Sequence, residues 1–176
     1  MIDFLIQNSD KFAYLAGTAS VLSFLTILIF FAVGGIFGPI NDAISVFQFL
    51  FLVPVALALY RLLNPYAQTL SFIAAALGIT AMLIFAILQA LLVFRQVRFE
   101  QTFTYVLLMT GTVGVWWLIV SIILPFRIPT PPVPMSTKWS LVSMHILGAA
   151  VLVPLLVVIG LPKNIGNVIL NGVKNL

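Results

Sequence analysis

The chain has 176 residues, of which 62% are hydrophobic and only 7% are charged. Soluble globular domains carry about 25% charged residues, so this composition excludes a fully water-exposed surface and indicates a membrane protein. The formal net charge is +4, and the basic residues are scattered along the chain rather than clustered, which argues against a nucleic-acid interface.

Five apolar stretches are long enough to cross about 30 Å of hydrocarbon at a rise of about 1.5 Å per residue. A strand exposed to lipid would leave its backbone hydrogen bonds unmade, so we expect these stretches to be helices. The sequence therefore predicts an all-α fold, a polytopic transmembrane helix bundle that forms a single domain over residues 1–176. The predicted spans lie near residues 12–36, 42–63, 68–94, 102–125 and 138–161.

Glycine and proline mark the ends of the predicted spans. Gly34-Gly35 closes the first span, and Asn64-Pro65 closes the second because residues before proline avoid the helical region. The proline-rich stretch 129–134 is typical of a stiff surface loop before the fifth span. Beyond that span, residues 162–176 place apolar and asparagine side chains on opposite sides at helical spacing. This pattern predicts an amphipathic interfacial helix in the tail.

Polar side chains gather near one end of the second and third spans. Asn41, Ser45 and Gln48 are spaced i, i+4 and i+7, so they share one side of the second span. Gln89 lies near the end of the antiparallel third span, and we expect it at a depth similar to that of Gln48. Two interpretations are open: a pocket for a headgroup, ion or small molecule, or interhelical hydrogen bonds such as a Gln48–Gln89 bridge. The candidate pocket residues are Asn41, Asp42, Ser45, Gln48, Gln89, Arg95 and Arg98.

The fourth span carries a second set of polar and aromatic residues. Thr110, Gly114 and Trp117 are spaced i, i+4 and i+7, and Gly114 allows a neighbouring helix to come close. Trp116 and Trp117 lie in mid-span, away from the membrane interface where tryptophan usually collects. Ordinary packing explains these residues, and so does a second pocket, lined by Thr110, Trp116 and Trp117, for a flat ligand or a lipid tail.

His145 is the only histidine, and it lies about two turns into the predicted fifth span. It is a candidate axial ligand of haem or a chlorin, a proton carrier, or a hydrogen-bonding partner of a neighbouring helix, and the last role is favoured. A Ser143–His145 dyad fails on geometry, because residues two apart point away from each other on a helix.

Chemistry that needs several reactive groups is disfavoured by the composition. The chain has no cysteine, one histidine and four acidic residues, and no two of the acids are paired by their spacing. The sequence therefore predicts no metal site, no catalytic residues and no bound cofactor, and an enzymatic role is disfavoured.

Few charged residues are available to predict the orientation of the chain in the membrane. The basic residues divide equally between the two membrane faces, so the positive-inside rule does not decide. Arg95 and Arg98 share one short loop, whereas the proline-rich stretch 129–134 is more typical of an outside connection. We therefore predict that the N-terminus lies outside and the C-terminus inside.

Three segments resemble a loose group of small bacterial multi-pass membrane proteins of unknown function. They are Gly38-Pro39-Ile40-Asn41-Asp42 with the following Gln48, Pro54–Leu63, and Leu88–Leu92. The resemblance implies a bundle of five or six spans and no known activity. A bacterial helical bundle is expected in the inner (cytoplasmic) membrane.

The functional hypothesis that follows is a non-enzymatic accessory or structural subunit that acts through helix–helix contacts, with small-residue stripes favouring association. Its partners would be the lipid bilayer and either a second copy or a larger membrane complex. The alternatives are a small-molecule or lipid binding or transport protein with a pocket between the second and third spans, and haem or pigment binding through His145.

Overall fold

The computed structural model describes residues 2–127, with side chains through Ser121, and the regular structure within that part is helical throughout. In chain order the helices are α1 (Ile2–Gln7), α2 (Ser9–Val33), α3 (Phe37–Leu63), α4 (Gln68–Val93) and α5 (Phe99–Arg127). Helices α2 to α5 are each long and apolar enough to cross a membrane. The prediction of an all-α transmembrane bundle is confirmed, and the protein is an integral membrane protein.

The C-terminal part of the chain, for which the sequence predicts three features, lies outside the described residues. The predicted fifth span, 138–161, the proline-rich stretch 129–134 and the predicted interfacial helix, 162–176, all lie outside the described residues. His145 belongs to the same part of the chain. Four of the five predicted spans therefore have counterparts among the described helices.

The first span begins and ends three residues earlier than the sequence predicts, and the second begins five residues earlier but ends at residue 63 as predicted. Helix α2 ends at Val33, because Gly34 and Gly35 adopt φ values of 74° and 69° and the Gly34 N–H donates to Phe30 O at 2.7 Å. Helix α3 begins at Phe37 rather than near residue 42. Its third residue is Pro39, whose missing N–H costs nothing in the first turn, where backbone donors have no partner within the helix.

The four long helices pack in chain order as antiparallel neighbours. Helix α3 contacts both α2 and α4, while α5 packs mainly on α4 and only lightly on α3. Of the four long helices described, α4 is the most buried, with small side chains toward its neighbours, and α2 lies at the edge of their row. The core contains Phe49, Ala56, Leu63, Ala74, Ala81, Met82, Phe85, Ala86, Val113, Trp116 and Val120.

Candidate functional site

A polar cluster joins α2 to α3 close to their connecting turn. Asn41 Oδ1 accepts hydrogen bonds from Ser23 Oγ at 2.8 Å and from Thr26 Oγ1 at 3.2 Å. Ser45 Oγ lies 3.2 Å from Ser23 Oγ, so it joins the same network. Interhelical hydrogen bonds of this kind hold neighbouring helices together in lipid. Asn41 and Ser45 therefore bond to the first span, whereas we had expected them to face the third.

The sequence itself contains a signal for these partners. Ser23 and Thr26 precede the Gly34-Gly35 turn by about as many residues as Asn41 and Ser45 follow it. Antiparallel helices joined by a short turn bring such residues to similar depths. Their similar distances from the turn therefore pair these side chains across the two helices.

Gln48 and Gln89 do not lie at the same depth, and this expectation was wrong. Phe49 and Phe85 stack with their ring centroids 4.0 Å apart, which places Gln89 level with Ser45 and Gln48 about one turn further into the bundle. The early start of α3 explains the shift, because it makes Gln48 the twelfth of 27 residues in that helix.

Gln89 is buried without its expected partner. Its side chain is 5% exposed on α4, and Oε1 makes no hydrogen bond to any described residue. The predicted Gln48–Gln89 bridge is therefore not formed among residues 2–121. A buried amide oxygen of this kind needs a hydrogen-bond donor, and leaving that hydrogen bond unmade costs about 1–3 kcal/mol of stability.

Three candidate residues of the predicted pocket are charged. Arg95 and Arg98 are exposed in the turn between α4 and α5, where Arg95 adopts a φ of 55°, and Asp42 is half-buried on α3. Among the described side chains, Arg61 Nη2 on α3 forms an ion pair with Asp3 Oδ1 on α1 at a distance of 2.8 Å. Arg95, Arg98 and Asp42 form no ion pair with one another among the described side chains.

A cleft between α2, α3 and α5 unites parts of the two predicted sets. Its volume is about 450 Å³. Gln48 from the first set lies there with Thr110 and Trp117 from the second, whereas Trp116 is 1% exposed in the core against Gly78. The cleft is lined by Ala13, Ala16, Gly17, Ser20, Gln48, Phe49, Leu52, Val55, Thr110, Val113 and Trp117.

Most hydrogen-bonding capacity in this cleft is already used. Ser20 Oγ donates to Ala16 O at 2.8 Å, and Thr110 Oγ1 donates to Val106 O at 2.7 Å, both within their own helices. The amide of Gln48 is bonded to no other described residue. The cleft is therefore an apolar space with one amide group available for recognition.

The described residues contain no group of three His, Cys, Asp or Glu side chains that could hold a metal ion. The haem or chlorin hypothesis concerns His145, which lies outside those residues, and it stays a prediction. Comparison of the chain with protein-family models, curated proteins and solved structures finds no match. The functional assignment therefore depends on the geometry of this chain.

Proposed function

We propose that the protein is a non-enzymatic accessory or structural subunit of a membrane assembly, and that it binds partners through helix–helix contacts. It acts in the bilayer, with a transmembrane helix of a partner chain or of a second copy as its binding target. We further propose the bacterial inner membrane as its location, with the N-terminus outside, on the basis of the sequence resemblance and the loop composition.

The observation that carries this proposal is a continuous exposed stripe on the edge helix α2. Bulky side chains recur along it at intervals of three, four and seven residues, the spacing at which a second helix can interdigitate. These residues are between 49% and 76% exposed, and we name them the α2 outer stripe: Tyr14, Val21, Phe24, Leu28 and Phe31.

The position of α2 in the bundle supports the same role. It buries only Ala16 and Ala19, whereas α4 buries nine residues. Of the long helices described, α3 is its main neighbour. Among residues 2–121, α2 therefore contributes little to packing, and most of its surface is not covered by the other described helices.

Site-specific photocrosslinking in native membranes tests the proposal. A photoreactive residue at Phe24, which is 61% exposed, should form a discrete adduct with a protein chain. The matched control is Ile87 on the outward side of α4, which is 60% exposed and close to the same membrane face. Lipid adducts alone at both positions would reject the α2 outer stripe as a contact surface.

A second candidate function is the binding or transport of a small apolar molecule or lipid in the cleft between α2, α3 and α5. The Gln48 amide supports it, because ligand sites are mostly apolar with a few placed polar groups. In that case Gln48→Leu abolishes binding or flux while the level of folded protein stays unchanged. Loss of the folded protein instead would assign Gln48 a packing role.

A further inference from the structure

A second cavity extends the α2–α3–α5 cleft toward the N-terminal end of α2. This outer cavity has a volume of about 290 Å³ and lies between Ser9, Asp10 and Ala13 on α2 and residues from Val55 to Leu62 on α3. Ala13 and Val55 line the cleft as well, so the two spaces adjoin. We call the combined space the α3 groove, because it follows one side of α3 along Gln48, Leu52, Val55, Leu59 and Leu62.

The α3 groove is as long as one leaflet of a bilayer is thick. From Gln48 to Leu62 the distance along the helix axis is about 21 Å at the helical rise. One leaflet, headgroups included, is about 20–22 Å thick. Leu62 is the last residue but one of α3, so the groove runs from the end of that helix to about the middle of the bundle.

The polarity of the α3 groove changes along its length. Ser9 and Asp10 line its outer end, and the side chains that follow inward on α3 are aliphatic as far as Leu52. Gly17 leaves room beside them, because a Cβ atom at this position would meet no atom within 4 Å. A polar end followed by an apolar trough is the arrangement that suits a headgroup and an acyl chain.

Asp10 determines which headgroup fits the outer end. Within the part of the chain whose side chains are described, Asp10 pairs with no basic residue, because the ion pair there joins Arg61 to Asp3. The neighbouring Lys11 donates through Nζ to Asn8 Oδ1 at 3.0 Å. A carboxylate in this position attracts an ammonium group and repels a further negative charge.

We propose that the α3 groove binds one phospholipid with an amine-bearing headgroup. Its ammonium group contacts Asp10, and one of its acyl chains lies along α3 toward Gln48. This inference rests on the second candidate function, ligand binding in the cleft, and it does not depend on the α2 outer stripe.

Lipid titration of the full-length protein in mild detergent, read by native mass spectrometry, tests the headgroup. The probes are dioleoyl phosphatidylethanolamine, which carries an ammonium group, and dioleoyl phosphatidylglycerol, which has the same acyl chains and no amine. We expect one phosphatidylethanolamine per protein, bound about two- to fivefold more tightly than phosphatidylglycerol, the ratio that an exposed ion pair supplies. Asp10→Asn should remove this preference.

A second variant tests the path of the acyl chain. Ala13→Leu places a larger side chain where the two cavities adjoin, and Ala13 is exposed, so the described packing has no need to change. It should weaken the binding of both lipids about tenfold or more, because displacing two methylene groups already costs about that factor. The matched control is Ala76→Leu at an exposed position of α4 outside the groove, and it should leave lipid binding unchanged.

The contrary results separate the inference from the candidate function on which it rests. Binding that depends on Ala13 but is equal for the two lipids would overturn the choice of an amine-bearing lipid and leave the cleft as an apolar ligand site. Absence of bound lipid, or binding that Ala13→Leu leaves unchanged, would overturn the groove as a lipid site. A lower melting temperature of Ala13→Leu without added lipid would show that protein already fills the groove, and this result also overturns the proposal.

Discussion

Trp116 of α5 packs its indole ring directly over Gly78 of α4. A Cβ atom at residue 78 would lie 2.5 Å from Trp116 Cγ, closer than real contacts of this kind allow. The glycine therefore makes room for the largest fully buried side chain of the described core. Neither residue belongs to the cleft, so their contact is a property of α4–α5 packing.

We expect Gly78→Ala to destabilise the bundle by about 1–3 kcal/mol, because the added methyl group forces the indole or the helix to move. The melting temperature of the purified protein in detergent measures the effect. Ala76→Val, which adds carbon atoms at an exposed position of the same helix, is the matched control and should have little effect. Equal stability of the two variants would contradict this close packing.

Asn41→Leu should loosen the contact between α2 and α3. The change removes the acceptor shared by Ser23 and Thr26, and interhelical hydrogen bonds in membranes contribute about 0.6–2 kcal/mol each. The loss should lie at the lower end, because Thr26 Oγ1 also donates to Leu22 O within its own helix. A double-mutant cycle with Ser23→Ala measures the coupling energy between Ser23 and Asn41. A coupling energy of zero would show that their hydrogen bond does not form.

The ion pair between Asp3 and Arg61 should contribute little to stability. Both side chains are more than half exposed, so solvent and salt screen their attraction, and we expect Asp3→Asn to cost less than about 1 kcal/mol. Melting curves at low and high salt measure this. A large loss that persists at high salt would mean that α1 is held by more than the surface pair.

The antiparallel order of the helices predicts which turns share a membrane face. Tyr66, between α3 and α4, should lie on the N-terminal side, and Gln96, between α4 and α5, on the opposite side. With the N-terminus outside, an impermeant thiol reagent should label Tyr66→Cys in intact cells and Gln96→Cys only after lysis. The reverse pattern would overturn the proposed orientation, and labelling of both from one side would contradict the crossing of α4.

The lengths of the apolar runs were sufficient to predict the helical bundle and its four described spans. Hydrophobic length is a property of each segment alone, so it can be read without knowing the neighbours. The predicted start of α3 near residue 42 was wrong, because α3 begins at Phe37 and accommodates Pro39 in its first turn, where proline is well tolerated. That error moved Gln48 by about one turn and produced the wrong pairing with Gln89.

The candidate site was less predictable because it depends on which helices become neighbours. The spacing of Asn41, Ser45 and Gln48 shows that they share a side of α3, but not that α2 would cover Asn41 and that Gln48 would face the cleft. In lipid, the apolar surfaces of different helices are nearly equivalent. Close fits such as Trp116 on Gly78 therefore help to determine which helices become neighbours. Such fits are not visible in a hydrophobic pattern.

Native mass spectrometry of the protein extracted from its own membrane in mild detergent tests the proposed role as a helix-binding subunit most directly. We expect a particle that contains a partner chain or a second copy. Phe24→Ala with Phe31→Ala in the α2 outer stripe should dissociate this particle while each chain remains folded. A lone monomer that co-isolates with no other protein would contradict the proposed role.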